Sequence, residues 1–229
     1  MTDRFDFSHL KGHRLISEAP DSSSRTQKAA LGQNRKPIFV DKSRIPEEMR
    51  NHPNVLEIES QVISQYANPE ALERTCVHEA AHEIYLNRLG VVTGRRGPFA
   101  YLGEDPGECH FANAQVYAVD SSRIKNGLSI ADWAKTFAAG SVAAKELTTL
   151  GAWEAANGIE GTGPGSDLNQ FAEYLKLEIN DVTDEQIKST FEHAKCLVEI
   201  ELRSPELRAE IWRVADDFGR EIFGEGVLT

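Results

Sequence analysis

One segment, from Asn68 to Gly90, constrains the fold more than any other part of the chain. Asn68 can cap a helix and Pro69 suits the first helical position, while Gly90 is typical of a helix end. Between them, apolar residues recur at the three- and four-residue spacing of one helix face. The sequence therefore predicts a helix over about residues 69–89 that buries one face.

This helix carries His78-Glu79-Ala80-Ala81-His82, an H-E-x-x-H pattern. Residues four apart lie on the same face of a helix, so both imidazoles can reach one metal ion. Glu79 lies about 100° round the helix from His78, where its carboxylate can hydrogen-bond a water on that metal. The spacing is what zinc hydrolysis needs, and it predicts a metal site.

Two histidines leave a tetrahedral zinc site short of one protein ligand, because a catalytic site keeps its last position for water. His110 and His193 are candidates by residue type, although each is also explained as a half-buried or surface histidine that binds no metal. Asp167 is a third candidate, since it follows the Gly-rich turn at residues 162–165, but an Asp at a helix start is also a common cap. The spacing alone does not decide which of these three residues is the third ligand.

The rest of the chain predicts further helices and little sheet. One predicted helix begins after Pro53, and another runs from Ser129 to about Gly151. Three more cover about residues 166–179, 183–203 and 205–223. Alternation in HFANAQVYAV, residues 110–119, predicts one strand, with residues 98–102 as its partner. We therefore expect a mainly α (α+β) fold, with a small β-sheet or hairpin between the H-E-x-x-H helix and the helices that follow.

Two features near the motif have competing interpretations. The strand at 110–119 is a candidate for binding substrate backbone along its edge, as zinc peptidases generally do, but it is equally suited to an ordinary structural hairpin. Glu83 directly follows the second histidine. We expect it to be a solvated residue on the helix rather than one that supports the metal ligands.

Charge is unevenly distributed along the chain. Residues 1–50 carry 10 basic and 7 acidic side chains, and the remaining residues carry 15 and 29. A surface that acidic repels phosphate and anionic lipid, which argues against nucleic acid or membrane as partners. Because residues 17–37 lack an apolar period, we assign residues 1–45 to a flexible N-terminal arm and residues 46–229 to one domain.

Composition also bears on localisation. No stretch approaches the roughly 18 apolar residues of a membrane span, and the N-terminus lacks the apolar core of a signal peptide. The cysteines, Cys76, Cys109 and Cys196, are too few and too dispersed for a disulfide framework. We therefore expect a cytoplasmic protein.

Three motifs in the expected order resemble the FtsH peptidase domain. HEAAHEI, residues 78–84, is similar to that family's HEAGHAL-type helix. TGPGSDLNQFAEYL, residues 162–175, is similar to its S/T-G-x-x-x-D-[LI] turn, whose Asp is the third zinc ligand. FAAGSVAAKEL, residues 137–147, is similar to its small-residue helix. The resemblance covers about residues 69–223, and the second motif makes it specific.

The resemblance implies a helical, zincin-like peptidase domain that holds Zn²⁺ through His78, His82 and Asp167, with Glu79 as the catalytic carboxylate. It implies a zinc-dependent metallopeptidase, an endopeptidase that hydrolyses peptide bonds in peptides or unstructured protein segments and is ATP-independent by itself. In that mechanism Glu79 takes a proton from a zinc-polarised water and passes it to the leaving amine.

The sequence also departs from the family pattern. Ala81 stands where the family usually has Gly, and Ala144-Lys145 stands where acidic residues are usual. FtsH proteases carry membrane spans and an ATP-driven AAA+ unfoldase, whereas this chain has no G-x-x-x-x-G-K-[ST] loop. We therefore expect the peptidase domain standing alone, with a peptide or protein substrate and with a homo-oligomer or a separate ATPase as the partners that the family suggests.

Two alternatives stay open. ImmA/IrrE-like regulatory metalloproteases also carry H-E-x-x-H and act on a transcriptional regulator, but their third ligand comes from a different motif. The other alternative is a catalytically inactive domain that binds zinc or a partner. The intact Glu79 argues against it, because binding alone does not need that carboxylate.

Overall fold

The structure is a computed structural model, and it describes residues 40–102, 109–112, 114–119, 129–149, 166–179 and 181–224. The Gly-rich turn at 162–165 and residues 1–39 of the predicted arm lie outside these described residues. The described part is mainly helical, with two small antiparallel sheets. It confirms the predicted mainly α (α+β) class.

Each of the main helices begins after a residue whose side chain accepts a backbone N–H of the first turn, which satisfies one of the donors that a helix start leaves unpaired. These caps are His52, Asn68, Ser129, Ser166, Thr183 and Ser204. The helices are α1 (Pro53–Ala67), α2 (Pro69–Arg88), α3 (Ile130–Leu147), α4 (Asp167–Glu178), α5 (Asp184–Glu201) and α6 (Pro205–Phe223). The predicted helices are all present, and only their ends differ.

The strands form two separate pairs. They are β1 (Thr93–Arg96), β2 (Phe99–Leu102), β3 (Cys109–Ala112) and β4 (Gln115–Ala118). β1 pairs with β4 and β2 pairs with β3, both antiparallel. The predicted pairing with residues 98–102 is confirmed for β3, which pairs with β2, but the single strand predicted over 110–119 is wrong: that segment contributes β3 to one sheet and β4 to the other. Its alternation continues through both strands, so the pattern does not mark where the pairing partner changes.

Helix α2 lies at the centre of the core. It packs mainly against α3 and α6, and it buries residues such as Val77, Ala81 and Ile84. The facing helix α3 buries a run of small residues, which lets the backbones of α2 and α3 approach closely. The small residues are Ala138, Ala139, Gly140, Ser141, Ala143 and Ala144.

The N-terminal side of the described chain also packs. Val40 and Ile45 are fully buried. The Asp41 N–H donates to the Pro98 carbonyl, and the Asp41 carbonyl accepts from the Ala100 N–H, so Asp41 forms a backbone bridge at the edge of β2. Residues 40–45, which we had assigned to the flexible arm, thus belong to the packed body. They join it through a parallel backbone bridge and isolated apolar side chains, which have no periodic signal in the sequence.

None of the helices within the described ranges combines the length and the apolarity that crossing a membrane requires.

Candidate metal centre

His78 and His82 lie one turn apart on α2, in the middle of the helix. Their rings meet edge to face, with centroids 4.6 Å apart, and their Nε2 atoms are 3.0 Å apart. The close approach follows from the four-residue spacing, which stacks the two side chains on one face. The prediction that both imidazoles reach one point is confirmed.

Asp167 reaches the same point from a different helix. It is the first residue of α4, directly after the cap Ser166. Helix α4 packs on α3 through aromatic contacts, with Phe171 against Phe137 at 6.0 Å and Tyr174 against Trp133 at 5.3 Å between ring centroids. This packing fixes the start of α4, and with it the Asp167 carboxylate, beside α2.

The three side chains converge with their ligand atoms facing one another. Asp167 Oδ2 lies 3.4 Å from His78 Nε2, and Asp167 Oδ1 lies 3.4 Å from His82 Nε2. Metal–ligand bonds of about 2.0–2.2 Å at tetrahedral angles place ligand atoms about 3.3–3.6 Å apart. The exposed fraction of the side chains is 24%, 13% and 15% for His78, His82 and Asp167, so the centre is sheltered but open to solvent. This cluster could hold a metal ion.

A backbone carbonyl on α3 orients the second histidine. His82 Nδ1 lies 2.7 Å from the carbonyl oxygen of Thr136, which can only accept, so Nδ1 carries the proton that it donates. Nε2 is then the atom directed at His78 and Asp167. Metal-binding histidines commonly have this arrangement, in which the second ring nitrogen donates to a fixed acceptor.

Gly140 leaves the space at the centre of the cluster. A Cβ atom built on Gly140 would lie 2.4 Å from His82 Nε2 and 2.6 Å from His78 Nε2. Those distances approach the length of a metal–nitrogen bond, so a methyl group at this position would compete for the place where an ion would sit. Sequence reasoning gave Gly140 no role; only the small-residue character of α3 indicates that a close approach occurs somewhere along it.

Glu79 lies on the same helix but is held by β4. Its Oε2 accepts a 2.7 Å hydrogen bond from the Val116 N–H, and the side chain is buried. No other hydrogen bond to Glu79 is present among the described residues, which leaves Oε1 as the oxygen available to a reacting water. The structure thus places the predicted catalytic carboxylate beside the two histidines without making it part of the His78, His82 and Asp167 cluster.

The protein environment shifts the pKa values of these four side chains in different directions. Burial lowers the pKa of His78 to about 4. Burial also acts to lower the pKa of His82, but the Asp167 carboxylate outweighs it and raises that pKa to about 9. Burial raises the pKa of Glu79 to about 7, against the opposing effects of His82 and the Val116 N–H. The pKa of Asp167 is lowered, since the two histidines outweigh its burial.

Helix α2 is clamped to the β1–β4 sheet at two successive turns. Arg95 and Val116 are directly opposite each other in the strand pair. Val116 donates to Glu79, and Arg95 forms a bidentate pair with Glu83 at 2.7 and 2.9 Å. Glu83 is therefore an ion-paired residue and not a solvated one, because the unpredicted strand β1 brings Arg95 to it. Arg95 also reaches Glu221 on α6, at 3.1 Å.

The remaining candidates lie elsewhere. His193 is exposed on α5 and takes no part in the cluster. The backbone of His110 lies in β3, and its side chain is outside the described part of the chain. Of the departures from the family pattern, Ala81 is fully buried in the α2 core contact, and Lys145 is exposed, 3.4 Å from Glu199.

The edge of β4 is closed where it faces α1 and α2. The Ala114 N–H, just before β4, donates to the Tyr66 hydroxyl, and the Val116 N–H donates to Glu79. A peptide adding to this edge needs those N–H groups for its own carbonyls. Within the described residues, the candidate role of 110–119 as a substrate-binding edge therefore finds no support at 114–116.

No family model, no curated protein and no solved structure matches this chain. Its function is therefore inferred from the geometry of the His78, His82 and Asp167 cluster and from its surroundings.

Proposed function

We propose that this protein is a zinc-dependent metallopeptidase. The observation that carries the proposal is the convergence of His78 Nε2, His82 Nε2 and the Asp167 carboxylate, with neighbouring ligand atoms 3.0 and 3.4 Å apart, next to the separately held carboxylate of Glu79. Structural zinc sites use four protein ligands, whereas catalytic sites use three and leave one position for water or substrate. Three converging ligands and one adjacent carboxylate support a catalytic site.

The donor set favours zinc over Mg²⁺ and Ca²⁺. Two neutral imidazoles and one carboxylate give nitrogen and oxygen ligands, which suit zinc, while Mg²⁺ and Ca²⁺ prefer oxygen ligands alone. The hydrogen bond from His82 Nδ1 to the Thr136 carbonyl and the space left by Gly140 fit an ion of this size. When bound, zinc supplies a Lewis acid that polarises a carbonyl oxygen and makes a bound water more acidic.

In this proposal Glu79 transfers a proton from the attacking water to the leaving amide nitrogen. Val116 holds Glu79 Oε2, so Oε1 takes the proton as the water oxygen bonds to the peptide carbonyl carbon. When the carbon–nitrogen bond breaks, Glu79 returns that proton to the leaving amide nitrogen. The products are a carboxylic acid and an amine, and Glu79 ends in its starting form.

The position of Asp167 bears on the choice between related peptidases. We take the chain to be an FtsH-type peptidase domain, because the Asp of the TGPGSDL motif lies 3.4 Å from both histidines. An ImmA/IrrE-like protease takes its third ligand from a different motif, so this position favours the FtsH-type ligand set. We place the enzyme in the cytoplasm, which is consistent with the free thiol of Cys196.

Peptide cleavage tests the proposal. Wild type and Glu79→Gln are loaded with zinc, incubated with a mixture of unstructured peptides, and analysed by mass spectrometry. We expect wild type to cut internal peptide bonds, Glu79→Gln to lose at least about 100-fold in rate while keeping zinc, and chelation to abolish cleavage reversibly. Equal cleavage by wild type and Glu79→Gln would overturn the catalytic role, and zinc-loaded wild type without cleavage would favour a binding domain.

A further inference from the structure

Arg96, the last residue of β1, is a half-buried cation without an ion-pair partner in the described part of the chain. No carboxylate oxygen of a described residue lies within 4.0 Å of its guanidinium nitrogens. Its Nε is buried, and no described residue forms a hydrogen bond with it. Of the five N–H donors of an arginine, the described residues use one, from Nη2 to Gln115 Oε1 at 2.6 Å.

The guanidinium is nevertheless held in one place. Its Cζ lies 3.5 Å from the centre of the Phe99 ring, a stacking distance, and Gln115 fixes one end of its fork. Arg44 lies over the same ring at 5.3 Å, so a second positive charge is close by. Burial and Arg44 lower the pKa of Arg96 to about 9, which leaves it charged at neutral pH.

A fixed, partly desolvated cation with unused donors is costly unless an anion completes it. The chain itself is strongly acidic, with a net charge of −11, yet it supplies no such partner among the described residues. The charges of Asp41 and Glu79 act on Arg96, but neither carboxylate has an oxygen within 4.0 Å of its nitrogens: Asp41 Oδ1 accepts from the Ser43 N–H, and Glu79 Oε2 accepts from the Val116 N–H. The arrangement fits an anion that arrives from outside the chain.

Arg96 is also connected to the proposed reaction centre through the β1–β4 strand pair. It is adjacent in β1 to Arg95, which pairs across the sheet with Val116, the residue that holds Glu79. The charges of Arg96 and Glu79 also act on each other. Arg96 does not touch the His78, His82 and Asp167 cluster, so it is not a metal ligand.

We propose that Arg96 binds a carboxylate of the peptide substrate, so that the enzyme selects peptides with an acidic side chain or a free C-terminus close to the cleaved bond. This specificity rests on the proposed peptidase function. Arginine suits the role because its planar fork can donate two parallel hydrogen bonds to one carboxylate, an interaction stronger than a neutral hydrogen bond.

Binding and cleavage of one peptide series test it. Glutamate or glutamine occupies each position in turn, and the C-terminus is either free or amidated. Binding of fluorescently labelled peptides to zinc-loaded Glu79→Gln is measured by anisotropy, and cleavage is measured with wild type. We expect one acidic form to bind about tenfold more tightly than its amide counterpart and to be cleaved preferentially. The position of the preference distinguishes a side-chain carboxylate from the C-terminal one.

Variants assign the preference to Arg96. In the Glu79→Gln background, Arg96→Gln should reduce the acid-to-amide ratio to about one, and Arg96→Lys should keep part of it. The exposed Arg213→Gln on α6 is the matched control and should keep the full ratio. A preference that survives Arg96→Gln, or equal binding of acid and amide peptides to the protein with Arg96 intact, overturns the proposal. Selective binding without cleavage would instead leave Arg96 in its role and reject the peptidase function.

Discussion

Two polar clusters lie between α2 and the helices around it, and they are built in opposite ways. In the first, His78, His82 and Asp167 direct two ring nitrogens and a carboxylate at one another. In the second, toward the C-terminal end of α2, the Glu201 carboxylate receives Tyr85 Oη at 2.6 Å and Lys135 Nζ at 3.2 Å. The second cluster matches each acceptor oxygen with a donor, whereas the first brings acceptors together.

This difference indicates a different role for each cluster. Glu201, Tyr85 and Lys135 complete one another, so this cluster is explained by stability alone. The three ligand atoms at His78, His82 and Asp167 need a positive charge at their centre. Without a metal, a proton on His82 supplies it, which is why the Asp167 carboxylate raises the pKa of His82 to about 9. A metal ion would replace that proton.

Removing Asp167 should have the largest effect. Asp167→Ala deletes the only carboxylate of the described cluster, and we expect zinc affinity to fall by more than about 100-fold, since even indirect partners of metal ligands cost 10–100-fold. Metal content after dialysis, by elemental mass spectrometry, measures it.

The control comes from the second cluster. Glu201→Gln breaks its contacts with Tyr85 and Lys135 and should lower the free energy of unfolding while leaving zinc content unchanged. If Asp167→Ala retained zinc and Glu201→Gln lost it, the assignment of the two clusters would be reversed.

Filling the space at Gly140 should have the next largest effect. Gly140→Ala puts a methyl group within 2.6 Å of both histidine Nε2 atoms, so the rings must move and zinc affinity should fall by about 10–100-fold. Alanine is about 1 kcal/mol better than glycine in a helix interior, which offsets part of the crowding, so the free energy of unfolding should change little. Zinc titration and thermal unfolding separate the two effects.

Ser141→Ala is the matched control for this substitution. Ser141 is buried in the same helix, and its hydroxyl donates to the Ala138 carbonyl, away from the histidine nitrogens. It should keep zinc affinity. A Gly140→Ala protein that binds zinc as wild type does would show that α3 does not border the ion.

The clamp between α2 and the sheet should have a smaller effect, on turnover alone. Arg95→Gln removes the bidentate pair with Glu83 and should lower kcat about tenfold with zinc content unchanged, because β4 then holds Glu79 less firmly. Arg88→Gln is the control, since its pair with Glu210 is exposed and contributes little. An unchanged kcat in Arg95→Gln, with KM also unchanged, would reduce the clamp to a structural contact.

Competition between zinc and a proton at His82 should have the smallest effect on zinc affinity, but the direction of the effect is fixed. At pH 8 the metal-free His82, with its pKa near 9, is mostly protonated, so zinc binding should release about one proton per ion. Affinity should therefore decrease as pH falls. In the metal-free protein, the contribution of the raised His82 pKa to stability is present below about pH 6.5 and is lost as pH rises through about 9. Calorimetry in two buffers of different ionisation enthalpy counts the protons, and no release at pH 8 would contradict this account.

Much of the helical framework could be predicted, because its determinants are local. The cap at Asn68 and the apolar face of α2 lie within the segment that they define, and the H-E-x-x-H spacing fixes the relative position of His78 and His82 without reference to other elements. Asp167 was one of three candidates by residue type, and the likeness of its motif to a known one singled it out.

The strand β1 could not be predicted, because the residues TGRR have neither alternation nor β-branched character beyond Thr93. It is a strand because β4 pairs with it. The ion pair of Glu83, the anchoring of Glu79 and the placement of Arg96 all depend on this pairing, so they were missed together.

Gly140 was missed for a different reason. The sequence shows a helix rich in small residues, but which of them borders the histidines depends on the register between α2 and α3. That register is set by packing across many residues and leaves no mark at any one of them. The same holds for the Thr136 carbonyl, since a backbone group has no sequence signal at all.

The proposed zinc site can be observed directly by the anomalous scattering of zinc in crystals of the protein, recorded above and below the zinc absorption edge. We predict one peak within about 2.0–2.2 Å of His78 Nε2, His82 Nε2 and an Asp167 oxygen, and next to the Gly140 backbone. A zinc peak elsewhere with these three side chains uncoordinated, or no peak in zinc-saturated crystals, would contradict it.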